Sequence, residues 1–239
     1  MRKPGEALAY SYDLDRDGSP NWVLENDDLR AVISPAAGAR SFVLEDKRTG
    51  LNWFTNAGGL RDHFAYYVQP ERINPQRRRG QYGMHNRPYR CKAAGPPNGV
   101  RVGLRCEYAA ADVLPAGAQI VKTITLEGQR LAVDYEIHLP AGGDTAARAA
   151  QAFLAVASLP ADATTSLRPV ASMSPGGAVD IPGNALLIER PEASLALRFD
   201  GAKATVERKV FSFWVKMAYP PLAAGNGRYH IEYELQRPR

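Results

Sequence analysis

Apolar and polar residues alternate with a period of two along most of this chain, and the alternation breaks at turn-forming residues. Two neighbouring runs show it best. In residues 120–126, Val121, Thr123 and Thr125 share one face, while Ile120, Ile124 and Leu126 share the other. In residues 131–139, Leu131, Val133, Tyr135 and Ile137 lie opposite Asp134, Glu136 and His138. Glu127-Gly128-Gln129-Arg130 joins the two runs, so they predict an antiparallel hairpin with one dry and one wet face. Further strands are expected at residues 29–33, 41–44, 53–54, 64–68, 185–188, 195–199, 211–215 and 229–235. The alanine-rich stretch 145–156 tolerates a helix, and its end, 153–156, fits a buried strand equally well.

The pattern therefore points to an all-β protein, a large antiparallel β-sandwich, and no polar linker divides residues 1–239 into two domains. Hydrophobic residues make up 45% and charged residues 23%, enough to bury a core and to exclude global disorder. The 21 glycines and 18 prolines fall between apolar runs, as turns of a sheet protein would. No apolar run approaches the roughly 20 residues needed to cross a bilayer as a helix. Met1–Glu6 is positively charged but has no apolar segment behind it, so no signal peptide is read there.

The formal charge of +5 gathers in one segment, Arg72, Arg77, Arg78, Arg79, Arg87, Arg90 and Lys92. It reads either as a solvated loop or as a patch for an anionic sugar or another acidic surface. No recognition helix, zinc spacing or RNP-type motif accompanies it, so nucleic acid is not expected as a partner, nor is a membrane. The hydrolase, NTPase and dinucleotide glycine motifs are absent from the sequence.

Cys91 and Cys106 flank Pro97-Asn98-Gly99. A two-residue turn at Asn98-Gly99 sets the cysteines directly opposite each other, but at the wider, hydrogen-bonded kind of pair. Both a cross-strand disulfide and two free thiols fit. The compartment stays open, with the periplasm or the exterior slightly ahead of the cytoplasm.

Two constellations could carry chemistry. Asp13, Asp15, Asp17 and Asn21 converge side-chain oxygens in a loop of the form D-x-D-x-D-G-x-x-N, a candidate calcium site. It is no EF-hand, because position 12 is Leu24, Glu25 comes one step late, and no helices flank it. An Asx-turn loop with solvated carboxylates is the other reading. The second constellation combines Asp62 and His63 with His85, Asn86, Arg87 and Tyr89, where planar polar groups and aromatic rings suit a saccharide. Trp53, Tyr66 or Tyr89 would supply its aromatic wall. His138 and His230 fall on polar strand faces and read as surface residues.

The run Asp13–Gly18, then Val23-Leu24-Glu25-Asn26, Leu29 to Pro35, Gly38-Ala39-Arg40 and Phe42-Val43-Leu44-Glu45 resembles the opening strands of galactose mutarotase-like supersandwich domains. The likeness is strongest to the C-terminal sandwich of the amylase and 4-α-glucanotransferase family. Leu60-Arg61-Asp62-His63-Phe64 and the central hairpin extend it to about a third of the chain. The resemblance implies a supersandwich fold. In the glucanotransferases this sandwich is an accessory to a catalytic barrel that the present sequence does not contain, which implies a non-catalytic carbohydrate-binding role. True aldose epimerases use two histidines, an acid and a late glutamate base. Gly83-Met84-His85-Asn86-Arg87 is similar to their G-x-x-N-R segment. The alternative function is thus a stand-alone sugar epimerase using His85, with His63 and a late glutamate such as Glu232 or Glu234.

Overall fold

A computed structural model describes residues 3–14, 16, 18–55, 59–64 (61–64 by backbone alone), 87–108, 117–140, 153–162, 164–170, 173–220, 222 and 225–237. The first half of the chain forms β1 (Ala7–Tyr12), β2 (Asn21–Glu25), β3 (Leu29–Ser34), β4 (Arg40–Asp46), β5 (Leu51–Asn52), β6 (Leu60–Phe64), β7 (Tyr89–Ala93), β8 (Asn98–Gly99) and β9 (Arg101–Tyr108). The second half forms β10 (Gln119–Glu127), β11 (Arg130–Leu139), β12 (Phe153–Pro160), β13 (Ser166–Arg168), β14 (Ala178–Ile181), β15 (Ala185–Glu189), β16 (Ser194–Phe199), β17 (Lys203–Arg208), β18 (Ser212–Ala218) and β19 (Gly225–Gln236). An eleven-stranded sheet runs β14-β17-β18-β12-β6-β4-β3-β2-β1-β8, with β5 paired to β4. An eight-stranded sheet runs β13-β15-β16-β19-β11-β10-β9-β7. The sheets pack face to face over one apolar core, where Tyr135 of β11 meets Phe153 of β12 and Tyr233 of β19 meets Phe54.

The central hairpin forms as its pattern predicts. Glu127 pairs with Arg130 and Ile120 with Ile137, so Gly128 and Gln129 make a two-residue turn, with Gly128 at φ 53°. Leu131, Val133, Tyr135 and Ile137 are buried, and Asp134, Glu136 and His138 face outward. The dry face of β10 holds one surprise. Lys122 stands between Ile120 and Ile124 and is only 1% exposed. Phe153 and Ala155 enter the core, yet Val156 and Ser158 on the opposite side of β12 are also buried. Burial on both faces explains why this strand reads as an unbroken apolar run without alternation.

Three expectations need correcting. Trp53 and Phe54 are core residues beyond the end of β5, not a strand. Phe211 lies in the β17–β18 turn with 85% exposure, and the strand starts at Ser212. Asn98-Gly99 is not a tight hairpin turn. It pairs with Leu8 and Ala7 of β1, and the Pro97 carbonyl accepts the Ala9 N–H at 2.8 Å.

The longer connection changes the cysteine geometry without changing the register. Cys91 still faces Cys106. The Ala94 N–H donates to the Gly103 carbonyl at 2.8 Å, so the hydrogen-bonded pairs fall one residue away from those that a turn at Asn98-Gly99 would impose. The cysteines thereby occupy a close, non-hydrogen-bonded pair with Cα atoms 4.0 Å apart, and they are joined by a disulfide.

Candidate functional site

The expected ligand set is only partly brought together. β6 places His63 opposite Leu154 and Asp62 opposite Ala155 in the eleven-stranded sheet. His85, Asn86 and Tyr66 lie outside the described residues. The Arg87 carbonyl accepts the Gly38 N–H at 2.8 Å, which ties the start of β7 to the corner before β4. Tyr89 does not offer an aromatic wall. It is 3% exposed, packs edge-on against Tyr108 at 5.3 Å, and lies inside the sandwich. Trp53 is fully buried as well. Sequence shows each ring beside polar groups, whereas strand parity turns Tyr89 inward and Trp53 enters the core just past β5.

The acidic loop is described at its ends. Asp13 Oδ2 accepts the Gly18 N–H at 3.1 Å, and Asp13 Oδ1 is buried with no hydrogen-bond partner among the described residues. Asn21 opens β2 opposite Tyr12 and is buried. Asp15 and Asp17 lie outside the described residues.

Lys122 fastens the corner beside Arg87. Gly38 and Ala39 both have positive φ, 78° and 45°, and their carbonyls converge on Lys122 Nζ at 3.2 Å each. The Tyr135 and Tyr89 rings lie 5.2 and 5.7 Å from the same ammonium. Alanine disfavours positive φ, so the two carbonyls and two ring faces offset strain as well as desolvation.

A well-formed polar site among the described residues lies elsewhere, on the outer face of the eight-stranded sheet. β11 and β19 align three polar pairs in succession, Asp134 with His230, Glu136 with Arg228, and His138 with Asn226. Each pair is in contact. His230 Nδ1 is 2.7 Å from Asp134 Oδ1, Arg228 is 3.6 Å from Glu136, and His138 Nδ1 is 2.7 Å from Asn226 Oδ1. A carboxylate can only accept, so His230 Nδ1 carries the proton in its contact with Asp134.

Two adjoining grooves open on this face. One of about 460 Å³ is lined by Arg105, Gln119, Val121, His138 and Asn226, the other of about 410 Å³ by Thr123, Asp134, Asp200, Tyr229 and His230. Glu136 and Arg228 line both. Burial pushes the Tyr229 and Tyr219 phenols above their ordinary range, and the Tyr219 hydroxyl donates to the His230 carbonyl at 2.9 Å, bracing that strand. In sequence, His138 and His230 look like ordinary surface residues. The available signal was the unbroken row of hydrogen-bonding side chains at alternate positions of β11, repeated on β19.

The late glutamates lie on this same outer face. Glu232 and Glu234 both accept from Arg198, at 2.8 and 2.7 Å. β6, which carries His63, belongs to the other sheet across the core. A sugar held between His63 and either of these glutamates is therefore geometrically excluded.

No family model and no curated protein matches the sequence. Solved structures do match the fold. A galactose mutarotase-like protein from Clostridium acetobutylicum aligns with 98% of this chain and 99% of its own, at 8% identity and a TM-score of 0.68. A GalM/aldose epimerase homologue from C. elegans aligns with 89% of this chain and 97% of its own, at 11% identity and a TM-score of 0.60. The 4-alpha-glucanotransferase of Thermococcus litoralis aligns with 98% of this chain at 18% identity and a TM-score of 0.59, and the match spans 40% of that enzyme's length. Two antiparallel sheets in this order, matched along nearly the whole chain, give the protein the galactose mutarotase-like β-sandwich fold.

Proposed function

We propose that this chain is a carbohydrate-binding or accessory β-sandwich of a saccharide-acting protein, and that it binds sugar without transforming it. The observation that carries the reading is the pair of adjoining grooves on the eight-stranded sheet. Their floor holds planar carboxylate, guanidinium, amide and imidazole groups already oriented by one another. Such groups match the paired hydroxyls of a pyranose, and each groove falls in the size range of small-ligand sites, roughly 300–1,000 Å³. Fold likeness to mutarotase-like proteins and to a glucanotransferase supports a saccharide over other small polar ligands. Non-catalytic binding is favoured over the epimerase alternative because Glu232 and Glu234 are held by Arg198 and are separated from β6 by the core.

Proton NMR tests both halves. Saccharides added to the protein should show line broadening and shift the His138 and His230 ring signals, while α/β anomer exchange stays at its uncatalysed rate. Faster exchange would establish the epimerase, and unperturbed histidines across a saccharide panel would remove the binding site.

The Cys91–Cys106 disulfide supports an oxidising compartment for this role. No helix among the described residues is long and apolar enough to cross a membrane. Calcium at the loop of Asp13, Asp15, Asp17 and Asn21 belongs to the same proposal. The unpartnered, buried Asp13 Oδ1 suits a cation ligand. Millimolar calcium should raise the melting temperature more than magnesium does, and the proposal fails if neither ion shifts it.

A further inference from the structure

Strand parity on β7 separates two kinds of side chain. Tyr89 and Cys91 turn into the sandwich, so Arg90 and Lys92 stand exposed on the outer face. The neighbouring strand β9 does the same, with Val102, Leu104 and Cys106 inward and Arg101 and Arg105 outward. Register then sets Lys92 directly opposite Arg105. Like charges facing each other across a strand pair destabilise it, and a carboxylate at either position would be the stabilising choice. Arg105 has one acidic neighbour, Glu107, at 3.3 Å. Register sets Glu107 opposite Arg90 and Glu127 opposite Arg101, whereas Lys92 has only Arg105 across from it and, among the described residues, no ion pair.

A local rule broken at Lys92 and Arg105, with Glu107 the one carboxylate paired to Arg105, marks a surface whose charge serves something outside the fold. Arg105 also lines the groove of about 460 Å³, across from Arg228. The cationic edge and the groove are therefore one continuous surface. Arg90 and Lys92 are the described end of the basic segment that begins at Arg72.

From this arrangement we infer that the saccharide is anionic. Its carboxylate or sulfate groups lie along Lys92, Arg105 and Arg90, and its neutral hydroxyls extend toward His138 and Asn226. The inference rests on the saccharide reading of the groove and adds the chemical class to it. Cations on adjacent strands stand about 5 Å apart, and those at alternate positions along β7 about 7 Å apart. With Glu107 the one carboxylate on this face of β9, Arg90, Lys92 and Arg105 leave an excess of positive charge for successive acidic units of one oligomer rather than a single focus. Nucleic acid would use the charge alone, whereas a glycan would also engage the amide and imidazole groups of the groove.

The test uses the full chain in calorimetric titrations with an oligogalacturonate, a sulfated oligosaccharide and a neutral gluco-oligosaccharide of equal length, with a short DNA duplex as polyanion control. The acidic glycans should bind at least tenfold tighter than the neutral one and the duplex, with affinity falling as salt rises. The uronate and sulfate arms identify which acid is preferred. Arg105→Gln and Lys92→Glu should each weaken the acidic glycan by about tenfold, as expected for loss of a charge-assisted hydrogen bond. Lys92→Glu should melt no lower than the parent, because it replaces a like-charge pair by an opposite one. Equal binding of neutral and acidic glycans, or unchanged affinity in both variants, overturns the anionic class while leaving the groove as a saccharide site. Tighter binding of the duplex than of either acidic glycan also overturns it. Failure of every glycan to bind overturns the groove reading as well.

Discussion

Lys122→Met is expected to lower stability to urea by about 3 kcal/mol, although methionine nearly matches lysine in length and is the more apolar side chain. Two terms oppose each other. Removing the ammonium relieves the cost of holding a charge that is 1% exposed between two sheets. It also leaves the Gly38 and Ala39 carbonyls without the donor that both now share at 3.2 Å. Each buried acceptor left unsatisfied costs about 1–3 kcal/mol, and breaking a buried charged contact from one side costs about 3–5 kcal/mol. The loss therefore exceeds the gain. The corner should loosen with it, because the positive φ of 45° at Ala39 would lose the carbonyl contact that offsets its strain. A variant as stable as the parent would mean that desolvation of Lys122 already cancels its bonds. Amide exchange at Gly38, whose N–H is bonded to the Arg87 carbonyl, would report the loosening separately.

Tyr135→Ala is expected to cost a similar amount, about 3 kcal/mol, by a different route. The ring is 1% exposed and meets Phe153 edge-on at 5.0 Å, joining the eight-stranded sheet to β12 of the other. Truncation leaves a cavity that neighbouring strands, fixed by their ladders, cannot close. The same ring lies 5.2 Å from Lys122 Nζ. The two substitutions should therefore be non-additive in a double-mutant cycle, whereas Tyr135→Ala combined with a distant change such as Leu186→Ala should add. Equilibrium unfolding of the two single variants and the pair provides the measurement. Strict additivity would show that the ring contributes volume alone and no cation contact.

The site was less legible than the fold, for a physical reason that Tyr89 and His138 illustrate. Tyr89 sits in a polar, arginine-rich stretch, and sequence proximity made it a ligand residue. Its strand position turned the ring onto Lys122 and Tyr108 instead. His138 follows Asp134 and Glu136 on the wet face of its strand, but its partner Asn226 is 88 residues away. Strand pairing brings these two together. The alternate polar residues of β11 and of β19 mark two wet faces, but do not show that the two strands are neighbours.

Features that depend on nearest neighbours in a strand can be read from the order of residues. The period-two pattern specifies which face of β11 is dry, and Gly128 with its flanking residues sets the central turn and hence the hairpin register. Those properties need only local sterics and the burial of one face, so they survive in the order of residues alone. The remaining features come from long-range packing. It placed Lys122 beneath the Gly38–Ala39 corner, took Asn98-Gly99 away from its hairpin to pair with β1, and so moved the cysteines into the close kind of pair. It also set Lys92 against Arg105 beside the groove. Each of these depends on which distant strands become neighbours. That choice is made by the packing of the whole core, and no short window of sequence contains it.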